Sequence, residues 1–207
     1  MGFSKTNRRS TRKMAIRKIV LTGNDILKKV CKPVKVITPR MVTLAEDMID
    51  TMLDADGVGL AAPQVGVMKR LFVAMPFPED EEPEVYVMFN PEIIEKEGEQ
   101  ASNEGCLSIP GYMGSVKRPE MVKIKYTDID GEEKIDQFEG FGAVVICHEY
   151  DHLDGILYSD IADTFMTNEE YLEMLEAENE AESENEADAE AGELSENQAP
   201  DFAEEQA

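Results

Sequence analysis

The stretch "FGAVVICHEYDHLDG", residues 141–155, decides the centre of the fold. Its first half is almost entirely apolar, which predicts a buried helix, and Gly155 is a typical helix end. The chain's two histidines, His148 and His152, stand four residues apart in it. A helix therefore places both imidazoles on one face, with Glu149 about 100° round the axis. Because polar side chains on a buried helix need partners, this H-E-x-x-H pattern predicts a divalent metal ion with Glu149 near its water.

Two imidazoles leave the metal shell incomplete, because a catalytic site usually has three protein ligands. The sequence holds no third histidine, so the residues alone leave two sources open. One is a glutamate of "TNEEYLEM" (167–174), which would suit a thermolysin-like peptidase. The other is Cys106 in "SNEGCLSIPG", whose thiolate is a strong ligand for a soft or borderline ion. Cys147 is next to His148, so it points off the ligand face and is predicted to be a core residue.

The rest of the chain predicts strands and one further helix around this centre. The helix lies in "TPRMVTLAEDMIDTMLDADGVG" (38–59), with Thr38 as its N-cap, Pro39 in its first turn and Asp56-Gly57 as its end. The predicted strands and loops are, in order, a loop at 57–66, strands at 69–76 and 84–98, and a hairpin at 121–140 around an Asp-Gly turn. The predicted fold class is α+β, with antiparallel sheets packed around the central helix that carries H-E-x-x-H.

The two ends of the chain carry opposite charge. Residues 1–18 hold seven Lys/Arg and no acid, whereas residues 169–207 hold sixteen Asp/Glu and no base, within a net charge of −24. We predict a disordered basic extension (1–13), a catalytic domain (14–167) and an acidic tail (168–207) that is disordered after a short helix. Three widely spaced cysteines suit a reducing compartment, and no apolar run is long enough for a membrane span.

Three blocks of the sequence together resemble the peptide deformylase family. They are "GVGLAAPQ" (57–64), "EGCLS" (104–108) and "HEYDHLDG" (148–155), in the family's order and with its spacing. The resemblance extends from about Met14 to about residue 165. The charged ends depart from the family pattern. Met113 also stands near the position where many bacterial members have an arginine, and Arg118 comes later.

The resemblance implies removal of the formyl group from the N-terminal formyl-methionine of newly synthesised polypeptides, with release of formate. It implies Cys106, His148 and His152 as metal ligands, with water as the fourth. The native ion is expected to be Fe(II), one per chain, with zinc, nickel or cobalt as possible substitutes. The metal-bound water would be the nucleophile, with Glu149 as general base and then general acid.

The resemblance also implies two donors for the oxyanion of the transition state, the side-chain amide of Gln64 and the backbone N–H of Leu107. Gly57 and Gly59 allow the close approach of an extended peptide. Val144 and Val145 lie one helical turn before His148 and are candidates for a methionine pocket. The full set of predicted substrate-binding residues is Gly57, Val58, Gly59, Gly105, Val144 and Val145.

The expected partners are N-formylmethionyl nascent peptides and, transiently, the ribosome exit region. We expect a cytoplasmic monomer that binds neither DNA nor a membrane. A metallo-endopeptidase is the first competing hypothesis, but it leaves Cys106 and "GVGLAAPQ" unexplained. A deformylase-like binding protein is the second, and an enzyme for a different N-formyl amide is the third. The acidic tail has the wrong sign for contact with ribosomal RNA.

Overall fold

The structure, a computed structural model, describes residues 15–77, 79 and 83–177. The chain divides into two units, Met1–Phe165 and Met166–Ala207. The predicted basic extension and residues 178–207 of the acidic tail lie outside the described residues, so their predicted disorder remains a prediction.

The longest helix of the first unit, α1 (Pro39–Asp54), has the position that the sequence predicted. Pro39 is in its first turn, where the missing N–H costs no hydrogen bond. Thr38 is the N-cap residue, as predicted, although its side chain makes no capping hydrogen bond. One face of α1 is buried through Leu44, Met48 and other apolar residues, and it packs on the sheet described next.

An antiparallel five-stranded sheet forms the larger layer, with the order β1-β2-β3-β6-β7. Its strands are β1 (Gly59–Ala61), β2 (Leu71–Ala74), β3 (Tyr86–Glu97), β6 (Met121–Thr127) and β7 (Glu133–Glu139). The predicted strands and hairpin are confirmed. The predicted loop at 57–66 was wrong in part, because it contains β1 and a 3-10 turn over Ala62–Val65. A buried three-residue strand beside glycines is too short to show an alternating pattern.

The central helix, α2 (Gly140–Leu153), packs against this sheet and carries the H-E-x-x-H motif. It is buried along residues 142–149, as its apolar sequence predicted. The shared core includes Phe72, Met88, Ile124, Phe138 and Ile146. Burial of each such side chain stabilises the fold by roughly 1.5–3 kcal/mol. The α+β class is therefore confirmed, with the helix held on an apolar sheet face.

A second sheet has the order β4-β5-β8. Its strands are β4 (Gln100–Cys106), β5 (Ile109–Arg118) and β8 (Thr164–Thr167), and a short helix, α3 (Tyr158–Ile161), precedes β8. β4 and β5 form a hairpin in which Cys106 pairs with Ile109. The tight connection holds Leu107 and Ser108, so the hairpin end presents Cys106 at a fixed position.

The described part of the second unit, residues 166–177, is helical from residue 168. Thr167 and Glu170 cap this helix reciprocally, since the Glu170 carboxylate accepts from the Thr167 N–H at 2.7 Å and Thr167 Oγ1 accepts from the Glu170 N–H at 3.2 Å. A short helix here was predicted. Within the described residues, no helix has both the length and the apolar character needed to cross a membrane.

Candidate active site

Helix α2 and the end of strand β4 bring three potential metal donors together. Donor atoms of Cys106, His148 and His152 lie within 4.8 Å of one another. Cys106 Sγ is 3.3 Å from His152 Nε2, and the two imidazole rings meet edge to face with centroids 4.9 Å apart. One thiol and two imidazoles are a donor set that suits soft or borderline divalent ions. The residues therefore fit a metal, and the cysteine is the third donor that completes the pair of histidines.

Glu104, which the sequence analysis did not single out, orients one of these histidines. Its Oε2 atom is 2.8 Å from His148 Nδ1, so the other ring nitrogen of His148 is directed away from the carboxylate. A carboxylate behind a metal-ligating imidazole fixes the tautomer and the direction of the ring. Glu104 is 5% exposed, and its place two residues before Cys106 in the second motif was the available sequence signal.

Arg118 neutralises this buried carboxylate. Its guanidinium donates to both oxygens of Glu104 at 2.7 and 2.9 Å and to Asp151 at 2.6 Å. Burial alone would raise the pKa of Glu104, but the hydrogen bonds from Arg118 and His148 outweigh it and hold that pKa below its usual value. Sequence reasoning set Arg118 aside as coming later than the motif. Because β4 and β5 form a hairpin, Arg118 lies beside Glu104 in the structure.

The two histidines have opposite electrostatic surroundings. Burial alone would lower the pKa of His148, but its hydrogen bonds with Cys106 and Glu104 raise that pKa well above the usual value. Burial and the neighbouring His148 hold the pKa of His152 well below its usual value. His152 is 1% exposed, and its Nδ1 atom has no hydrogen-bond partner among the described residues.

Glu149 is a buried carboxyl group that follows His148 on helix α2. It is 4% exposed, and within the described chain its Oε2 atom has no hydrogen-bond partner. Burial raises its pKa to about 7, although His148 opposes the rise. A carboxyl group with this pKa can both accept and donate a proton near neutral pH. The backbone of Gly59 lies against it, since a Cβ atom on Gly59 would be 2.2 Å from Glu149 Oε1.

Gln64, on the 3-10 turn after β1, also reaches the site. It is 1% exposed, and its Nε2 atom is 3.4 Å from Cys106 Sγ. Leu107 follows Cys106 directly, and a Cβ atom on Gly57 would be 2.8 Å from its side chain. The structure thus brings together the predicted ligands, Glu149, Gln64 and Leu107, from segments far apart in the sequence.

The remaining predicted residues lie around this group. Gly105 is exposed, and a Cβ atom there would be 3.1 Å from the sulfur of Met113. Val144 and Val145 are 5% and 4% exposed. Val145 belongs to the core between α2 and the sheet, and Val58 packs against that core.

Two further residues at the site were missed by sequence reasoning. The ring of Tyr158 stacks on His148 with centroids 5.9 Å apart, and Ser108 Oγ is 3.2 Å from Gln64 Nε2. Ser108 stands inside the second motif, which was a usable signal. Tyr158 follows the third motif, and its contact with His148 depends on a chain reversal that no local pattern indicates.

Known proteins share both the sequence and the fold of this chain. The family model described as polypeptide deformylase matches residues 16–168. Peptide deformylase from Agathobacter rectalis is 50% identical over 145 residues, which cover 70% of this chain and 89% of that protein. Peptide deformylase from Lachnoclostridium phytofermentans is 52% identical over 145 residues, which cover 70% and 88%.

Solved structures of peptide deformylases also match this chain. A class I type b peptide deformylase from Acinetobacter baumannii, in a crystal structure with Met-Ala-Ser bound, has a TM-score of 0.67 at 39% identity and covers 72% of this chain and 99% of its own. A peptide deformylase from Legionella pneumophila has a TM-score of 0.68 at 38% identity, with coverage of 84% and 98%. The chain therefore belongs to the polypeptide deformylase family, metal-dependent hydrolases that remove the N-formyl group from nascent peptides.

Proposed function

We propose that this chain hydrolyses the formyl group from the N-terminal formyl-methionine of newly made polypeptides in the cytoplasm and releases formate. The observation that carries the proposal is the grouping of the Cys106, His148 and His152 donors, with the buried carboxyl group of Glu149 next to His148 on the same helix. A metallo-endopeptidase would have no use for Cys106 at this position. The family match supports the same reaction.

Cys106, His148 and His152 would hold one Fe(II) ion per chain, with zinc, nickel or cobalt as possible substitutes. The thiol and the two imidazoles support an ion of this kind because all three are good ligands for borderline divalent metals. When bound, the ion supplies a Lewis acid that makes hydroxide available near neutral pH. Glu104 holds the His148 ring in place through Nδ1.

Glu149 would move the protons of the reaction. It would take a proton from the attacking water and later give it to the leaving amine. Its pKa of about 7 supports both steps, because the carboxyl group is then available in either protonation state at neutral pH. Gly59 contributes by leaving room for the carboxyl group, which a larger residue would displace.

Gln64 and Leu107 would stabilise the negative charge that develops on the formyl oxygen. The carboxamide of Gln64 and the backbone N–H of Leu107 both lie next to Cys106, the first through space and the second along the chain. Hydrogen-bond donors that are fixed before the reaction stabilise such charge strongly, because the site does not reorganise when the charge forms.

The substrate would bind as an extended peptide along Gly57, Val58, Gly59 and Gly105, with its methionine side chain near Val144 and Val145. The solved Acinetobacter relative with bound Met-Ala-Ser supports a peptide of this composition as ligand. We further propose that the enzyme works as a monomer, meets its substrates transiently at the ribosome exit region, and binds no DNA.

The test is release of formate from formyl-Met-Ala-Ser by protein loaded with metal under exclusion of oxygen. The parent should release formate rapidly, and Glu149→Ala should release almost none while its metal content stays equal. Glu99→Ala is the matched control, because that side chain is 69% exposed and should leave the rate unchanged. Absence of formate release from a fully metallated parent would overturn the proposal.

A further inference from the structure

Ser108 is a buried polar residue for which the proposed reaction gives no role. It is 0% exposed and lies in the tight connection between β4 and β5, directly after Leu107. Its hydroxyl oxygen is 3.2 Å from Gln64 Nε2 and accepts a hydrogen bond from that group. A buried polar group without a hydrogen-bond partner destabilises the fold. The hydrogen bond between the Ser108 hydroxyl and the Gln64 carboxamide gives each group a partner.

The orientation of the Gln64 carboxamide is fixed from both of its ends. Gln64 Oε1 is 2.7 Å from the backbone nitrogen of Ala61, which can only donate, so the oxygen must lie on that side. The NH2 group therefore faces Ser108 Oγ at 3.2 Å and Cys106 Sγ at 3.4 Å. With Ser108 accepting one N–H, the other N–H is left to point towards the metal donors.

The main chain joins the same two residues through a third segment. The N–H of Val20 donates to the carbonyl oxygen of Gln64 at 2.7 Å, and the N–H of Thr22 donates to the carbonyl oxygen of Ser108 at 2.8 Å. This segment is itself anchored on α1, because the backbone N–H of Arg17 donates to Thr51 Oγ1 at 2.9 Å. Gln64 and Ser108 are thus connected by a side-chain hydrogen bond, and both also accept backbone hydrogen bonds from the segment that holds Val20 and Thr22.

We propose that Ser108 is a positioning residue for the hydrolysis, which aims the second N–H of the Gln64 carboxamide, the one on the side of Cys106, at the oxyanion of the transition state. This inference rests on the proposed role of Gln64 as an oxyanion donor. The hydroxyl of Ser108 restricts rotation of the carboxamide, and its carbonyl group holds the Leu107–Ser108 connection at a fixed distance from Gln64. Both proposed oxyanion donors therefore keep one relative geometry, on which transition-state stabilisation depends.

The test is a double-mutant cycle on formate release. Ser108→Ala should lower kcat about three- to tenfold, as expected for the loss of one buried hydrogen bond, and leave KM nearly unchanged. Gln64→Ala should lower kcat by about 100-fold or more, because it removes an oxyanion donor. In the Gln64→Ala background, Ser108→Ala should have no further effect, because Ser108 then has nothing to orient. Ser102→Ala on the same hairpin is the control and should leave kcat unchanged.

Two measurements without turnover separate positioning from a general structural effect. The side-chain amide signals of Gln64 in an NMR spectrum should shift in Ser108→Ala and stay in place in Ser102→Ala. The visible spectrum of the Co(II)-loaded protein should be the same in parent and Ser108→Ala, because the ligands are untouched. An unchanged kcat in Ser108→Ala, or an equal loss with and without Gln64, would overturn the inference.

Thr22→Pro is a second variant that leaves the Ser108 hydroxyl intact. Residues 21–24 form a turn in which the Asn24 N–H bonds to the Leu21 carbonyl at 3.3 Å and Gly23 has φ +91°. Proline is favoured at the position of Thr22 in such a turn, so the fold should persist while the donor to Ser108 is lost. We expect lower kcat at equal metal content, and an unchanged kcat would show that the hydrogen bond from Thr22 to Ser108 does not position the site. If the parent releases no formate, the proposed function fails, whereas the Gln64 amide signals still test the contact.

Discussion

Glu104 supports the proposed metal donors through a buried charge that is not itself among them. It connects His148 to Arg118 inside the protein, with its own side chain 3% exposed and that of Arg118 5% exposed. Glu104→Gln should lower metal affinity about 10- to 100-fold, because a neutral amide orients the His148 ring less strongly than a carboxylate. It should also lower the free energy of unfolding by about 3 kcal/mol, since Arg118 is left as an incompletely paired buried charge. Metal titration and denaturant unfolding measure the two effects.

Glu99→Gln is the matched control for this substitution. Glu99 pairs with Lys117 at 3.8 Å, but both side chains are largely exposed. Exposed ion pairs contribute little, so the free energy of unfolding should change by less than about 0.5 kcal/mol and metal affinity should be unchanged. Equal metal affinity in Glu104→Gln and the parent would show that His148 is oriented by other contacts.

The thiols of Cys31 and Cys147 should be unreactive in the folded protein. Burial raises the pKa of each to about 11, and each side chain is 3% exposed. The thiolate is the reactive form, so at pH 8 only about one thiol in a thousand is ionised. Reactivity should increase only as the pH rises towards 11. Mass spectrometry after iodoacetamide treatment at pH 8 should find both unmodified, and both modified after unfolding in guanidinium. Rapid modification in the native state would contradict this.

At the level of single residues, the grouping of the proposed metal donors was predictable from the sequence, and the contacts that support it were not. His148, Glu149 and His152 are close in sequence, so helical geometry places them without tertiary information. Cys106 was one of two open sources of a third donor, and the family resemblance selected it. The contact between Glu104 and Arg118 depends on the register of the β4–β5 hairpin, which pairs residues up to 18 positions apart, Gln100 with Arg118. No local pattern in the sequence fixes that register.

Among the elements, the contact between strand β1 and helix α2 sets a steric limit at Gly59. Gly59→Ala should displace the Glu149 side chain, since the new Cβ would lie 2.2 Å from Oε1 and 2.7 Å from Cδ. We expect about 1–3 kcal/mol loss of stability from overpacking and a large fall in kcat. Thermal unfolding and formate release measure these effects.

The matched control for Gly59→Ala is the double variant with Glu149→Ala. The shorter side chain removes the obstacle, so the double variant should be about as stable as Glu149→Ala alone. Equal stability losses from Gly59→Ala in both backgrounds would show that the strand itself, and not the carboxyl group, is disturbed.

Elements with a regular pattern were predicted well, and short ones were not. The helical spacing of α1, the apolar run of α2 and the Asp-Gly hairpin each indicated the element that forms. Strand β1 and the 3-10 turn after it were predicted as loop because they contain only three and four residues. These short elements carry Gly59 and Gln64, so the least predictable part of the fold is next to the proposed chemistry. Their conformation is imposed by pairing with β2 and packing against α2.

For the whole chain, a large part of the net negative charge lies in the sequence after the last residue of the site. Every residue that we place in the site belongs to the unit Met1–Phe165. Residues 176–207 hold thirteen of the chain's 44 acidic residues and no base. Such a segment repels nucleic acid, so the full-length protein should show no tail-dependent binding to ribosomal RNA.

Removal of residues 176–207 should leave kcat/KM for formyl-Met-Ala-Ser unchanged. The proposed ligands, base and oxyanion donors are all retained, and any repulsion of a small substrate by the removed charges is screened by salt. The measurement compares parent and truncated protein at low salt, about 50 mM, and at about 300 mM, where the Debye length is several ångströms shorter. A difference at low salt that disappears at high salt would reveal an electrostatic effect of the tail on substrate approach. A loss of activity that persists at both salt concentrations would show that the segment supports the catalytic unit, contrary to this prediction.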